Sequence, residues 1–97
     1  MASYVVLLNF TDQGIRTVND SPKRYEAFKA AAEKLEVQVK SIYWTVGKYD
    51  VVTTLEGPED AVTAMLLKLG SAGNVHTQTL RAFSQDEFTR ILKKIPA

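Results

Sequence analysis

Tyr43-Trp44-Thr45-Val46-Gly47-Lys48-Tyr49-Asp50-Val51-Val52-Thr53-Thr54 reads as two strands joined by a tight turn, and it holds the only tryptophan of the chain. Gly47-Lys48 makes the turn. Gly47 takes a positive φ that a side chain resists, Lys48 sits at an exposed tip, and Asp50 accepts local backbone hydrogen bonds. Upstream, Val37 to Val46 alternates with period two. That period places Val37, Val39, Ser41, Tyr43 and Thr45 on one face and Gln38, Lys40, Ile42, Trp44 and Val46 on the other. Downstream, Asp50 to Glu56 forms the next strand. Tyr43 and Trp44 therefore point to opposite faces, and leaving either face wet exposes a large apolar area.

On the N-terminal side, Tyr4 to Phe10 is apolar on both alternating faces, as expected of an internal strand covered on both sides. Thr11-Asp12-Gln13-Gly14 ends it with turn chemistry, and Ile15 to Asp20 reads as a polar connection. Ser21-Pro22 starts a helix, with Ser21 as cap and Pro22 at the first helical position, where its missing N–H costs nothing. The helix runs to about Glu36, with Tyr25, Phe28, Ala32 and Leu35 on one stripe. Pro58 with Glu59 and Asp60 opens a second helix, whose apolar face is Ala61, Met65, Leu66 and Leu69 and whose stop lies around Gly70 to Gly73. Asn74 to Phe83 is a fourth strand. Ser84-Gln85-Asp86-Glu87 has capping-box spacing and starts a closing helix with Phe88, Ile91, Leu92 and Ile95 as its stripe.

The order strand, helix, strand, strand, helix, strand, with a terminal helix, predicts an α+β ferredoxin-like βαββαβ fold in a single domain spanning residues 1–97. Both main helices cover one sheet face. Face-to-face pairing of two sheets into a dimeric α/β barrel is the expected cover for the other. Size points the same way, since a chain of 97 residues buries a modest share of its surface and gains from self-association.

Composition narrows the function. Twelve Lys and Arg against eleven Asp and Glu give a net charge of +1, which supplies no broad basic field for nucleic acid. The absence of cysteine excludes disulfides and thiol chemistry. The N-terminus looks like a strand rather than a signal peptide, and no apolar run approaches the length of a membrane span, so a cytoplasmic protein without membrane contact is expected.

Several separated segments resemble the GYD-domain family over nearly the whole chain. They are Tyr4 to Phe10 followed by Thr11-Asp12-Gln13-Gly14, then Ser21-Pro22-Lys23-Arg24, Gly47-Lys48-Tyr49-Asp50, and Gly73-Asn74-Val75-His76-Thr77-Gln78-Thr79-Leu80-Arg81-Ala82-Phe83. The resemblance implies a ferredoxin-like, dimeric α/β-barrel domain of bacterial or archaeal type, in a family without an established general activity. It supplies no catalytic residue, and neither His76 nor Trp44 is taken as a family-wide functional group.

The candidate site residues each carry a bland and a chemical reading. Tyr49 and Asp50 either shape the turn or supply an acid and a hydrogen bond at a pocket mouth, although adjacent strand positions face opposite ways. His76, the only histidine, is a solvated or edge residue or a general base; no second histidine or spaced carboxylate accompanies it, so no metal site is expected. Thr77, Thr79 and Arg81 share one face of the fourth strand and offer hydroxyls and a fixed cation to a small carboxylate or carbonyl compound if that face lines a barrel. Otherwise they are ordinary strand residues and an interface cation. Ser21, Lys23 and Arg24 form an anion site at a helix N-terminus or simply a capped helix start.

No GxGxxG, Walker A, GxSxG or HExxH pattern occurs, and no cofactor is expected. Two functions remain. The favoured one is a homo-oligomeric module that binds a small organic molecule or acts in assembly and regulation. The alternative is a small metal-free enzyme acting on a carbonyl or carboxylate compound, with Arg81 as electrostatic clamp and Tyr49, Asp50 or His76 as acid or base.

Overall fold

A computed structural model describes all residues 1–97. Four strands, β1 (Ala2–Phe10), β2 (Gln38–Trp44), β3 (Val51–Gly57) and β4 (Val75–Ala82), form one antiparallel sheet in the order β2-β3-β1-β4. The helices are α1 (Asp12–Arg16), α2 (Ser21–Lys34), α3 (Glu59–Ser71) and α4 (Gln85–Leu92), with a 3-10 turn at Val18–Asp20. The architecture is the expected ferredoxin-like one.

Register decides what each face carries. Tyr4, Val6 and Leu8 of β1 stand opposite Leu55, Thr53 and Val51 of β3, and all six are buried beneath Ala32 of α2 and Val62 and Met65 of α3. Val5, Leu7, Val52 and Thr54 lie on the reverse face and are half-buried. β1 is thus internal, as its two-sided apolar pattern predicts, but only one of its faces is covered within the chain.

Four local features depart from the sequence reading. The segment Asp12 to Asp20 is not a plain polar connection: Thr11 accepts the Gly14 N–H at 3.0 Å on its Oγ1, and that bond nucleates the short α1. Ser21 does not cap α2; Asp20 occupies the cap without a side-chain bond, and Ser21 is a buried helical residue. In β2 the register shifts between Val39 and Ser41. This bulge puts Val39 opposite buried Leu55, on the same face as Ile42 and Trp44, whereas Ser41 and Tyr43 stay opposite Thr54 and Val52 on the open face. Finally, β2 ends at Trp44 and β3 begins at Val51, so the connection is longer than a tight turn, although Gly47 does take the left-handed conformation at φ 146°.

Helix ends follow their local chemistry. α2 closes with Val37 N–H donating to Ala32 O at 2.9 Å and Glu36 N–H to Glu33 O at 3.1 Å, a pattern that forces Glu36 to φ 62°. That turn leaves Leu35 on the surface instead of on the core stripe. α4 starts with the expected capping box, in which Glu87 N–H donates to Ser84 Oγ at 3.2 Å and Ser84 N–H to Glu87 Oε1 at 2.8 Å. None of its residues is buried. The chain extends 53 × 31 × 19 Å with a radius of gyration of 15.0 Å; a compact domain of about 100 residues has roughly 13 Å.

Candidate functional site

The residues of the signature stretch close one end of the sheet. Phe10 N–H donates to Asp50 Oδ2 at 2.9 Å, Asp50 N–H to Leu8 O at 2.9 Å, and Thr45 N–H to Asp50 O at 2.8 Å. Asp50 therefore joins β1 to the β2–β3 connection, where the β1–β3 ladder stops at Leu8 and Val51. Asn9 adds a bond from Nδ2 to Lys48 O at 2.8 Å. Tyr49 turns the other way and donates its hydroxyl to Gln78 Oε1 at 3.1 Å, bridging the connection to β4.

The β4 candidates divide between faces. Thr77, Thr79 and Arg81 do share a face, but register places them opposite Leu8, Val6 and Tyr4, on the helix-bearing side of the sheet. The face that would line a paired-sheet barrel carries His76, Gln78 and Leu80 instead, opposite Asn9, Leu7 and Val5. Arg81 bonds the carbonyls of Ser3 and Ala82, and its guanidinium lies 4.4 Å from the Phe83 ring centroid and 5.6 Å from that of Tyr4. It thus ties the edge strand to β1 through backbone and aromatic contacts. Arg81 lies on the opposite side of the sheet from His76 and from the Tyr49 hydroxyl on Gln78, while Asp50, the third acid or base candidate, accepts the Phe10 N–H on its carboxylate.

The proposed anion group at the start of α2 is likewise rearranged. Ser21 Oγ accepts the Trp44 indole N–H at 2.9 Å, and Trp44 packs edge-on against Tyr25 with ring centroids 5.9 Å apart. Arg24 donates to Thr17 O and Thr17 Oγ1, both at 3.0 Å, and to Gly14 O at 3.3 Å. Lys23 is exposed. The Ser21–Trp44 bond spans 23 residues; no local pattern in the sequence signals it.

Other segments of the resemblance meet in space. Thr11 donates through Oγ1 to Gly73 O at 2.6 Å and through its N–H to Asn74 O at 3.0 Å. Gln13 Nε2 donates to Ala72 O at 3.1 Å and Asn74 Oδ1 at 3.0 Å. Gly14 sits so close to this turn that a Cβ would stand 1.9 Å from Asn74 O. The Thr11-Asp12-Gln13-Gly14 stretch is therefore the docking piece that fixes the α3–β4 turn.

Two apolar surfaces and an apolar cavity stand out besides these. On the open sheet face Val5, Leu7 and Val52 are bordered by Tyr43, 66% exposed, and Leu80, 44% exposed. On α4 the stripe Phe88, Ile91 and Leu92 is 38% to 52% exposed, and Ile95, expected on the same helix, lies beyond its end at Leu92 and is 64% exposed. Between the helices and the sheet lies an apolar cavity of about 360 Å³, bounded by α2, α3 and the ends of the strands. The sequence periodicity identifies the α4 stripe but not its lack of a partner. One carboxyl is clearly perturbed: the Ser84 N–H and then the Ser84 hydroxyl, aided by the charges of Arg81 and Arg90, hold Glu87 below the usual carboxylate value. No group of three or more His, Asp and Glu side chains is arranged to hold a metal ion, and no helix is long and apolar enough to cross a membrane.

Comparison with known proteins places these features in a family. The GYD domain model matches residues 4–92. A Thermus thermophilus protein named "Glutamine synthetase and cystathionine beta-lyase binding protein" is 33% identical over 95 residues, which cover 96% of this chain and 100% of that protein. A crystal structure of a protein from Thermus thermophilus superposes with a TM-score of 0.50 at 28% identity, covering 87% of this chain and 95% of the other. The match spans the β1–α1 junction, the β2–β3 connection and β4 together, and the chain belongs to the GYD family.

Proposed function

We propose that this chain is a docking module that pairs with a second copy through its open sheet face and presents α4 to a metabolic enzyme. The observation that carries the reading is the uncovered stripe Phe88, Ile91, Leu92 and Ile95. On the helix Phe88, Ile91 and Leu92 stand at i, i+3 and i+4, the spacing of anchors entering a groove on another protein, and Ile95 follows just past the helix end. A capping box fixes where this helix starts, so the stripe has a defined register.

The name of the Thermus thermophilus relative supports enzymes of the glutamine synthetase and cystathionine β-lyase types as partners, since the relative aligns along essentially this entire chain. A cytoplasmic location fits partners of those kinds. On the open face, Val5, Leu7 and Val52 form an apolar centre bordered by Tyr43 and Leu80, a patch that a two-fold sheet pair would cover.

Titration of the purified chain into glutamine synthetase and cystathionine β-lyase from the same organism tests the reading. Saturable binding is expected with at least one of them, weakened about tenfold or more by Leu92→Asp. Thermal unfolding of the variant should match that of the parent, because Leu92 is already 48% exposed. Unchanged affinity in both Leu92→Asp and Ile91→Asp removes α4 from the interface. Absence of binding to both enzymes removes those partners.

A further inference from the structure

The cavity between the helical layer and the sheet is separate from both docking surfaces, since no α4 residue lines it and its strand residues Leu8, Val51 and Thr53 belong to the helix-covered face. Its volume of about 360 Å³ falls within the range of small-molecule sites. At the roughly 30 Å³ that one water-sized group occupies, it accommodates about twelve non-hydrogen atoms.

Charge then selects the chemistry. Arg24 and Lys68 lie on its wall, and no acidic residue does. All three hydrogen bonds of Arg24 end on neutral oxygens, those of Thr17 and Gly14, so they orient the guanidinium without neutralising it. Ser21, the first residue of the 14-residue α2, also lines the cavity, which brings the positive end of that helix to it one turn before Arg24. Apart from Thr53 and Asn74 the remaining wall is apolar, with Phe28, Leu66 and Leu69 only half-buried in the free chain. An occupant must therefore pair one anionic end with a hydrocarbon body.

The geometry points to a binding site for a small apolar carboxylic acid the size of decanoate, its chain against Phe28, Leu66 and Leu69 and its carboxylate toward Arg24 and Lys68. Arg24 supplies a planar fork suited to a carboxylate, and Lys68 a second, mobile cation. Trp44, on the same wall and fixed by Ser21, is the only tryptophan and so reports occupancy.

Fluorescence titration of the intact chain with decanoate, and with decanol as an uncharged counterpart, tests the assignment. A saturable change at Trp44 is expected, with decanol at least about tenfold weaker. Lys68→Gln and Arg24→Gln should bring decanoate toward the affinity of decanol and leave decanol unchanged. Because Arg24 also holds the Thr17 and Gly14 carbonyls, Lys68→Gln decides the matter if Arg24→Gln does not fold. Ala31→Leu adds bulk to the cavity wall while keeping both cations in the sequence and should weaken both ligands by about tenfold or more. No saturable response up to roughly millimolar decanoate overturns the assignment. So does an affinity unaffected by Ala31→Leu, which places the ligand on another surface. A loss of dimer mass in Ala31→Leu also overturns it, by assigning the groove to a second copy. Enzyme binding by the same variants reports on α4 separately, so the two proposals fail independently.

Discussion

The Phe10 backbone N–H donates to the Asp50 carboxylate at 2.9 Å across 40 residues of chain, and this bond closes the end of β1 where its ladder to β3 has run out. Asp50 is half-buried and completes the junction with its own N–H and carbonyl, so its side chain is a structural acceptor. Asp50→Ala leaves the Phe10 N–H without its partner and should cost about 1–3 kcal/mol. Asp50→Asn keeps an acceptor but loses the charge, and should cost about 0.5–1.5 kcal/mol. Urea unfolding of both variants checks the order; equal stability of Asp50→Ala and the parent contradicts it.

Gly14 is fixed by contact rather than by a special backbone angle. With Asn74 O only 1.9 Å from the position of an added Cβ, Gly14→Ala must push α1 away from the α3–β4 turn. The shift breaks the Thr11 and Gln13 bonds to Gly73, Ala72 and Asn74. A loss of about 2–4 kcal/mol is expected from several such bonds and the local repacking. Hydrogen exchange at Thr11, which donates to Asn74 O, should accelerate in step with the lower unfolding midpoint.

The cap of α4 predicts a pH response. Glu87 has a depressed folded pKa, chiefly because the Ser84 N–H bonds its carboxylate. A depressed pKa means the contribution is present above the unfolded glutamate value of about 4.3 and is lost as pH falls through the folded value. Amide resonances of Ser84 to Phe88 should therefore shift toward frayed-helix positions below about pH 4. Ser84→Ala should show frayed-helix positions already at neutral pH, as the reciprocal bond is gone.

The open sheet face gives a mass prediction. Light scattering at micromolar concentration should report twice the 10.8 kDa chain mass, and Leu80→Asp, at an already exposed position, should return it to the monomer. A parent chain that stays at 10.8 kDa rules out the stable pair.

The element order is legible because each run has its own period and its own punctuation. Tyr4 to Phe10 reads as a central strand, Gly47 as a left-handed turn residue, and Ser84 with Glu87 as a reciprocal cap. What escapes the sequence depends on distant partners. Val37 to Val46 alternates cleanly in sequence, yet the bulge after Val39 moves that valine to the core side opposite Leu55. Ser21 has the composition of a cap, but the Trp44 indole takes its hydroxyl. Thr77, Thr79 and Arg81 share a face as their spacing predicts, but it is the helix side and not the barrel side, because a period of two separates faces without saying which one the helices cover. The cavity is invisible for the same reason: it is set by the gap between α2, α3 and the sheet, which no local pattern encodes.

The docking role of α4 is tested most directly by hydrogen exchange of the chain with and without saturating glutamine synthetase or cystathionine β-lyase. α4 buries none of its residues in the free chain, so its amides should exchange quickly there. The account expects strong slowing over Phe88 to Ile95 in the complex; binding that leaves those amides as fast as in the free chain, with protection elsewhere, contradicts it.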